Sequence, residues 1–310
     1  MKSLFNKLKY NSLIGLKVYM SLRKFYIFFK FRLFNDEYYI KKNFFKNHNY
    51  KFDLKNPKTL NEKILWLKLN DRGNPFYTVC ADKFAVREYL TKEFGSEFLI
   101  PLEFETTDVS KINPDNLPDY PFIIKTNHDS AHYYIVKDKS NVNWKKIQTD
   151  LKIWMNENYY YVEKEWQYKN IKPRVIVEKL LECSNGKIPN DYKLNCINGK
   201  VEFIYVSVDR EVTNKRNIYS RDWKPLHFTW AKPGKDITKL RGPEIEPPLS
   251  INKMIEIAEK IAEKFSYVRV DFYDVDGKLY FGEITLHHGG GYDIMTPFEK
   301  DEYYGNLLKL

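Results

Sequence analysis

Apolar residues recur at helical spacing in some stretches of this chain and alternate at strand spacing in others. In "NPKTLNEKILWLKLN", Ile64, Leu65, Leu67 and Leu69 supply the apolar side of a helix. Thr59 precedes them with Glu62 three residues on, the spacing of a capping box. "DKFAVREYLTKEFG" predicts a second helix over Asp82–Gly95, apolar at Phe84, Val86, Tyr89, Leu90 and Phe94 and stopped by glycine. "FLIPLEF" predicts a short strand, and "PFIIKTNHDSAHYYIVKDKS" reads as strand, polar turn, strand, with Ile123 and Lys125 on one face and Phe122 and Ile124 on the other. "NWKKIQTDLKIWMNEN" is a helix and "PRVIVEKLL" a buried strand ending in charge. "DYKLNCINGKVEFIYVSVD" is a hairpin turning at Asn198-Gly199. "SINKMIEIAEKIAEKF" carries a helical stripe of Ile251, Met254, Ile255, Ile257, Ala258, Ile261 and Ala262. The order of elements predicts an α/β (α+β) protein with largely antiparallel sheets.

The last strand pair, "VRVDFYDVDGKLYFGEITLHHGGG", carries Arg269, Asp271, Glu283 and Thr285 where a plain sheet would be apolar or neutral. Whether they meet depends on the turn, because one residue of slip moves a strand's side chains to the other face. A two-residue turn at Asp276-Gly277 pairs Asp271 with Gly282 and puts Glu283 on the opposite face. A three-residue turn, Val275-Asp276-Gly277, opposes Arg269 to Glu283 and makes Asp271 and Glu283 diagonal neighbours about 7–8 Å apart. Both turns are common, and a site on this face requires the three-residue turn, with Gly277 at positive φ. In the second register the two carboxylates can share a hard cation such as magnesium, or Arg269 and Glu283 form a plain cross-strand ion pair. If the carboxylates face a site, Asp271→Asn and Glu283→Gln leave the fold intact, with neither charge buried away from solvent or metal.

Charge is unevenly spread. Residues 1–50 hold 11 Lys/Arg and 2 Asp/Glu, so they carry +9 of the net +10. The near-neutral remainder argues against a nucleic-acid groove. "KVYMSLRKFYIFFKFRLF" mixes cations with aromatics and has no apolar run of the roughly 18 residues needed to span a bilayer. It is either a helix lying on an anionic membrane surface or a helix packed on the body with its cations solvated. Cys80, Cys183 and Cys196 have no short spacing, which points away from a disulfide framework or zinc site and towards a reducing, cytoplasmic setting.

From about Pro57 to the C-terminus the chain resembles the ATP-grasp superfamily, in particular its TupA-like branch, associated with teichuronopeptide and polysaccharide synthesis. "ADKFAVREYL" resembles the helix whose lysine, here Lys83, contacts ATP phosphates, and "PFIIKTNHDSA" the strand and phosphate loop, with Lys125 and Ser130. "IVEKLL" resembles the adenine hinge, where Glu178 and the backbone from Lys179 to Leu181 read the base. "DYKLNCINGKV" places Asp191 at the ribose and Lys193 near the phosphates. The last hairpin then supplies Arg269 as anion clamp and Asp271, Glu283 and, more weakly, Thr285 as Mg²⁺ ligands. Two departures from the family pattern stand out: the phosphate loop lacks glycine, and Thr285 stands where asparagine is usual. The resemblance implies two lobes clasping the nucleotide, with an extension at 1–56, a small lobe within 57–177 and a large, metal-bearing lobe over 178–310.

What the resemblance implies for function is an ATP- and Mg²⁺-dependent carboxylate–amine ligase acting through an acyl phosphate. Its carboxylate is expected to be a uronic acid or amino acid destined with an amine for a cell-surface glycan. Lys125, Lys193 and Arg269 are its expected catalytic residues. Arg216 and Arg221, just before and within "NIYSRDW", either bind an acidic substrate or form an exposed basic loop. His288 and Gly290 are weaker substrate candidates, since adjacent histidines on a strand point to opposite faces and suit a metal poorly. Two rival readings remain: a glycosyltransferase using Asp274 and Asp276, which a turn explains more simply, and a membrane-surface scaffold without catalysis.

Overall fold

The computed structural model describes residues 9–10, 12–29, 35–209 and 215–310. In chain order the elements are α1 (Leu13–Ile27), α2 (Asp36–His48), α3 (Leu60–Asn70), α4 (Pro75–Ala81), α5 (Val86–Phe94), β1 (Leu102–Thr106), β2 (Phe122–Thr126), β3 (Tyr133–Val136), α6 (Trp144–Trp154) and α7 (Tyr159–Glu163). They continue with β4 (Val175–Lys179), β5 (Asp191–Ile197), β6 (Lys200–Val208), β7 (Lys215–Ser220), β8 (Thr229–Ala231), α8 (Ile251–Ala262), β9 (Tyr267–Val275), β10 (Lys278–Thr285), β11 (Ile294–Thr296) and α9 (Phe298–Leu307). The chain divides into two compact units built from interleaved stretches. One comprises Met1–Asn35, Asp82–Val86 and Ile100–Leu180; the other comprises Asp36–Ala81, Arg87–Leu99 and Leu181–Leu310.

The first unit is a four-stranded antiparallel sheet in the order β1-β4-β2-β3. Strand alternation puts Phe122 and Ile124 of β2 into a core with Val136, Ile147, Leu151, Val175 and Val177, and leaves Ile123 and Lys125 on the other face. The second unit centres on a five-stranded antiparallel sheet, β10-β9-β5-β6-β7, beside a two-stranded sheet of β8 and β11. Asn198 and Gly199, at φ 48° and 84°, make the two-residue turn expected between β5 and β6. The apolar stripe of α8 is buried at Met254, Ile255, Ile257, Ala258, Ile261 and Ala262.

Thr59 and Glu62 form the expected reciprocal capping box at the start of α3. That helix also buries Lys68, whose Nζ donates to the Gly290 carbonyl at 3.0 Å. The predicted helix over Asp82–Gly95 starts later, at Val86. Asp82 Oδ1 instead accepts from the amides of Phe84 and Ala85, at 2.9 and 3.2 Å, and holds Lys83 in a turn ahead of the helix.

Asp301 joins α9 to α3. Its two oxygens accept from Asn61 N and Nδ2 at 2.9 and 2.8 Å. Burial pushes its pKa up to about 6, with the neighbouring charge of Glu62 adding to the shift and the bonds from Asn61 opposing it. A carboxyl raised in the folded state contributes stability fully below its unfolded pKa near 4 and loses it as pH rises through about 6. Asp301→Asn is therefore expected to gain on the natural protein by on the order of 2 kcal/mol between about pH 4 and pH 7. Thermal unfolding of both proteins across that range checks it; a constant difference would contradict it.

Candidate functional site: a charged face on the second sheet

The charged face is made by a bulge, not by the turn. Lys278 pairs with Val275 across a two-residue turn, in which Asp276 and Gly277 take φ 53° and 90°. This corrects the expectation of a three-residue turn, and alone it would send Glu283 to the far face. The register then slips between Phe281 and Glu283, with Gly282 as the extra residue, so that Glu283 lies directly opposite Asp271 and Thr285 opposite Arg269. Glycine suits this position because an added Cβ would sit 3.0 Å from the Asp271 carbonyl oxygen and 3.3 Å from its Cβ. On the other side of β9, Lys193 of β5 faces Asp271, and Asn195 faces Arg269.

These side chains form one ionic network. Arg269 donates through Nε to Asp271 Oδ1 and through Nη2 to Asp271 Oδ2, both at 2.7 Å, and through Nη2 to Glu283 Oε1 at 2.9 Å. Lys193 Nζ donates to Asp191 Oδ2 at 2.5 Å and to Asp271 Oδ2 at 2.7 Å. Thr285 Oγ1 donates to Glu283 Oε1 at 3.1 Å. Burial disfavours the charge of Asp271, but Arg269 and Lys193 outweigh it and hold its pKa below the ordinary value. Burial likewise opposes the charges of Arg269 and Lys193, whose carboxylate partners raise both pKa values. Asp271 is only 1% exposed, which corrects the expectation that its charge is not buried away from solvent or metal. The Glu283 side chain is 40% exposed.

Arg269 Nη1 also meets His288 Nδ1 at 2.9 Å. Since arginine only donates, Nδ1 must accept, which leaves the proton on Nε2, 3.5 Å from Asp293 Oδ2. Burial lowers the His288 pKa against the opposing pull of Asp293, and Arg269 lowers it further. The ring stacks on Trp230 with centroids 3.8 Å apart. His287 lines a separate small pocket with Asp71 and Tyr77; both histidines lie beyond β10, which ends at Thr285, so strand alternation does not place them.

In the first unit, Lys125 projects from β2 and pairs through Nζ with Glu178 Oε2 of β4 at 2.6 Å. The loop after β2 is shaped by side chains in place of glycine. Asn127 donates to Asp82 Oδ1 at 2.8 Å and to the Lys172 carbonyl at 3.1 Å, and accepts from Arg174 N at 2.7 Å. Asp129 accepts from Thr126 Oγ1 at 2.5 Å and pairs with His132 Nδ1 at 2.6 Å. Ala131 takes the left-handed φ of 68° that would favour glycine. Lys83 is tied to this loop by its amide, which donates to the Asn127 carbonyl at 3.1 Å, and by Nζ, which donates to the Asp129 carbonyl. Ser130 is exposed on the loop.

The profile of the TupA-like ATP-grasp family matches residues 62–309. The chain belongs to that family. Among solved structures it is similar to D-alanine–D-alanine ligase from Bacillus anthracis, with 19% identity, a TM-score of 0.37, and coverage of 67% of this chain and 57% of that one. It is also similar to D-alanine–D-alanine ligase from Helicobacter pylori, at 15% identity, TM-score 0.40 and coverage of 74% and 62%. A third similar structure is the ATP-grasp ligase PsnB complexed with minimal precursor, at 12% identity, TM-score 0.39 and coverage of 73% and 59%. The chain thus spans less than two thirds of the length of these structures. No curated protein matches it.

Other candidates from this ATP-grasp sequence fall inside or outside the charged face. Arg216 of β7 lies over the Tyr205 ring, 5.8 Å from its centroid, and helps hold Asp293 ionised. It also lines a pocket of about 290 Å³ with His227, Thr229 and Arg241. Arg221 is not part of it: it lies in the turn after β7 and pairs outward with Glu259 of α8 at 2.9 Å. Gly290, at φ 64°, presents its carbonyl to Lys68. At the hinge, the amides of Lys179 and Leu180 donate to the carbonyls of Pro101 and Pro121, at 3.1 and 3.0 Å, so both serve the fold. Asp274 caps α8, its Oδ2 accepting from Ser250 N and Oγ and its Oδ1 from Gly277 N. Asp276 Oδ2 accepts from Ser184 N at 2.7 Å. The turn acids are thus structural, which removes the observation behind the glycosyltransferase reading.

Removing one partner of a buried pair leaves an uncompensated charge. Arg269→Leu is expected to cost about 3–5 kcal/mol of stability, whereas Glu283→Gln, at a half-exposed position, costs under about 1 kcal/mol. Urea unfolding of the two variants separates them. Equal losses would mean that Arg269 is not the hub of the network.

Proposed function

We propose that this protein is an ATP-dependent carboxylate–amine ligase, with Asp271 and Glu283 binding the magnesium of Mg-ATP. The observation that carries the reading is the pairing of these two carboxylates across β9 and β10, with Arg269 and Lys193 on the same face. Two carboxylates and the Thr285 hydroxyl are hard oxygen donors, and magnesium takes only one or two carboxylates, completing its shell with water and phosphate oxygens. Held there by Asp271 and Glu283, it would supply charge neutralisation at the terminal phosphates.

In this reading Arg269 holds the two carboxylates at a fixed separation, since its recorded bonds go to Asp271, Glu283 and His288. Lys193 exchanges part of its pairing with Asp191 and Asp271 for phosphate oxygens. Asp191 Oδ1, buried without a hydrogen-bond partner, accepts from a ribose hydroxyl. Lys83 and Lys125 are phosphate contacts, Ser130 contributes from their loop, and Glu178, Lys179 and Leu181 read the adenine. A substrate carboxylate oxygen attacks the γ-phosphorus and ADP leaves; an amine then attacks the acyl phosphate, loses a proton and expels phosphate to give an amide. Positioning and charge neutralisation supply the catalysis, without a side-chain nucleophile. The resemblance to the TupA-like branch supports a uronic acid or amino acid as the carboxylate and a cell-surface polysaccharide precursor as the destination. Arg216 and His288, beside the network, would meet that acid; Gly290, whose amide donates to the His287 carbonyl and whose carbonyl accepts from Lys68, serves the turn.

The reaction should appear as ADP release dependent on one member of a panel of uronic and amino acids, with hydroxylamine trapping an acyl hydroxamate. Glu283→Gln is expected to lower turnover by about 10²-fold or more, with circular dichroism checking that it is folded, and Asp271→Asn to lower it as far while also losing stability as a broken buried pair. Asp274→Asn and Asp276→Asn should stay within several-fold of the natural protein. Essential turn acids and dispensable strand acids would overturn the proposal.

Lys125→Ala tests the first unit separately. Mg-ATP affinity measured by calorimetry should fall about tenfold or more for a lost phosphate contact. Unchanged affinity and turnover would remove Lys125 from the site.

A further inference from the structure

Helix α1 packs with one side only. Gly15 and Leu16 are buried, and Tyr19, Met20, Arg23 and Ile27 are half buried along the same side. Arg23 locks that side to the first unit through Glu157, with Nη2 2.8 Å from Oε2. The opposite side is apolar too. Ile14, Val18, Leu22 and Phe25 follow one another at spacings of four, four and three, and Phe29 continues the row. All five are exposed, Ile14 at 76% and Phe25 at 63%. Single exposed apolar residues are ordinary, but a continuous row of five marks an interaction surface.

Lys17 and Lys24 are exposed along one border of the row. Residues 1–35 contain eight Lys/Arg and no Asp or Glu. A second copy of the chain is a poor partner for this face, because a two-fold contact would bring like charges together. An anionic surface with an apolar interior satisfies both halves of the pattern. Fifteen residues of helix extend about 22 Å, short of the roughly 30 Å of a hydrocarbon core. No helix among the described residues is long and apolar enough to cross a membrane.

We propose that α1 is an interfacial anchor, lying in the plane of an anionic lipid surface with Ile14, Val18, Leu22, Phe25 and Phe29 in the acyl boundary and Lys17 and Lys24 at the headgroups. The inward side of the same helix stays on the first unit, so that unit is held against the bilayer without a linker. This surface is independent of the nucleotide site, and a ligase acting on a lipid-borne glycan precursor gains from it by meeting its substrate at the membrane.

The test is co-sedimentation of the full-length protein with vesicles of three parts phosphatidylcholine to one part phosphatidylserine, against phosphatidylcholine alone. Binding is expected to the anionic vesicles and to weaken as salt is added. Lys17→Gln with Lys24→Gln should lower the partition coefficient about thirty-fold, at roughly fivefold for each lysine. Leu22→Asp with Phe25→Asp should lower it more, with ATP turnover on soluble substrates unchanged. Leu22→Trp, a milder change, should show a blue shift of tryptophan emission on anionic vesicles. No binding at low salt, equal binding to neutral vesicles, or no emission shift would overturn the proposal. So would a concentration-dependent dimer that Phe25→Asp abolishes while vesicles leave the protein unbound; the row would then be a self-association surface.

Discussion

The buried contact between Arg269 and Asp271 is the constraint on which the rest of this site depends. Two charges withdrawn from water cost several kcal/mol each unless they are well paired. Here the guanidinium meets both carboxylate oxygens, and Lys193 meets one of them from the neighbouring strand. Such an arrangement adds little net stability over apolar residues of the same volume, yet it punishes loss of any one member. It fixes where Glu283 must come, because Arg269 has only one further edge to offer it. The bulge at Gly282 is the backbone's answer to that demand. Structural and chemical duties therefore fall on the same residues, which makes the half-exposed Glu283 a cleaner probe of chemistry than Asp271.

Much of this was legible in the sequence, and the failures have physical causes. The capping box of α3, the Asn198-Gly199 turn, the facing of β2 and the buried stripe of α8 all follow from local spacing, and all were read correctly. The charges of the last hairpin were recognised as sharing a face, but through the wrong turn. The signal that would have corrected this was present: an isolated glycine inside a strand marks a bulge or a close backbone approach. The glycine-free loop after β2 could not be read locally. Its shape comes from Asn127 reaching Asp82, Lys172 and Arg174, partners about 45 residues away on either side. The burial of Lys68 inside α3 and the capping of α8 by Asp274 are long-range facts of the same kind. Helix α9 and strands β8 and β11 are too short or too polar in pattern to announce themselves.

The same distinction applies to α1. Its basic and aromatic composition is visible in the sequence, but which side packs and which stays open is not, since both sides are apolar. Only the burial of Gly15 and Leu16 and the Arg23–Glu157 pair assign the inward side. What the first unit contributes elsewhere is a loop held by neutral and ionic side-chain bonds, with Lys125 just before it and Lys83 bonded to its first half.

The account stands or falls on activation of a carboxylate by ATP. The most direct measurement starts from the acid that elicits ADP release, labelled with ¹⁸O in its carboxyl group, and determines the isotope content of the inorganic phosphate by mass spectrometry. Attack of that carboxylate on the γ-phosphorus predicts one ¹⁸O atom in each phosphate released with amide, and loss of both products in Glu283→Gln. Unlabelled phosphate formed alongside the amide, or label transfer that survives in Glu283→Gln, would contradict it.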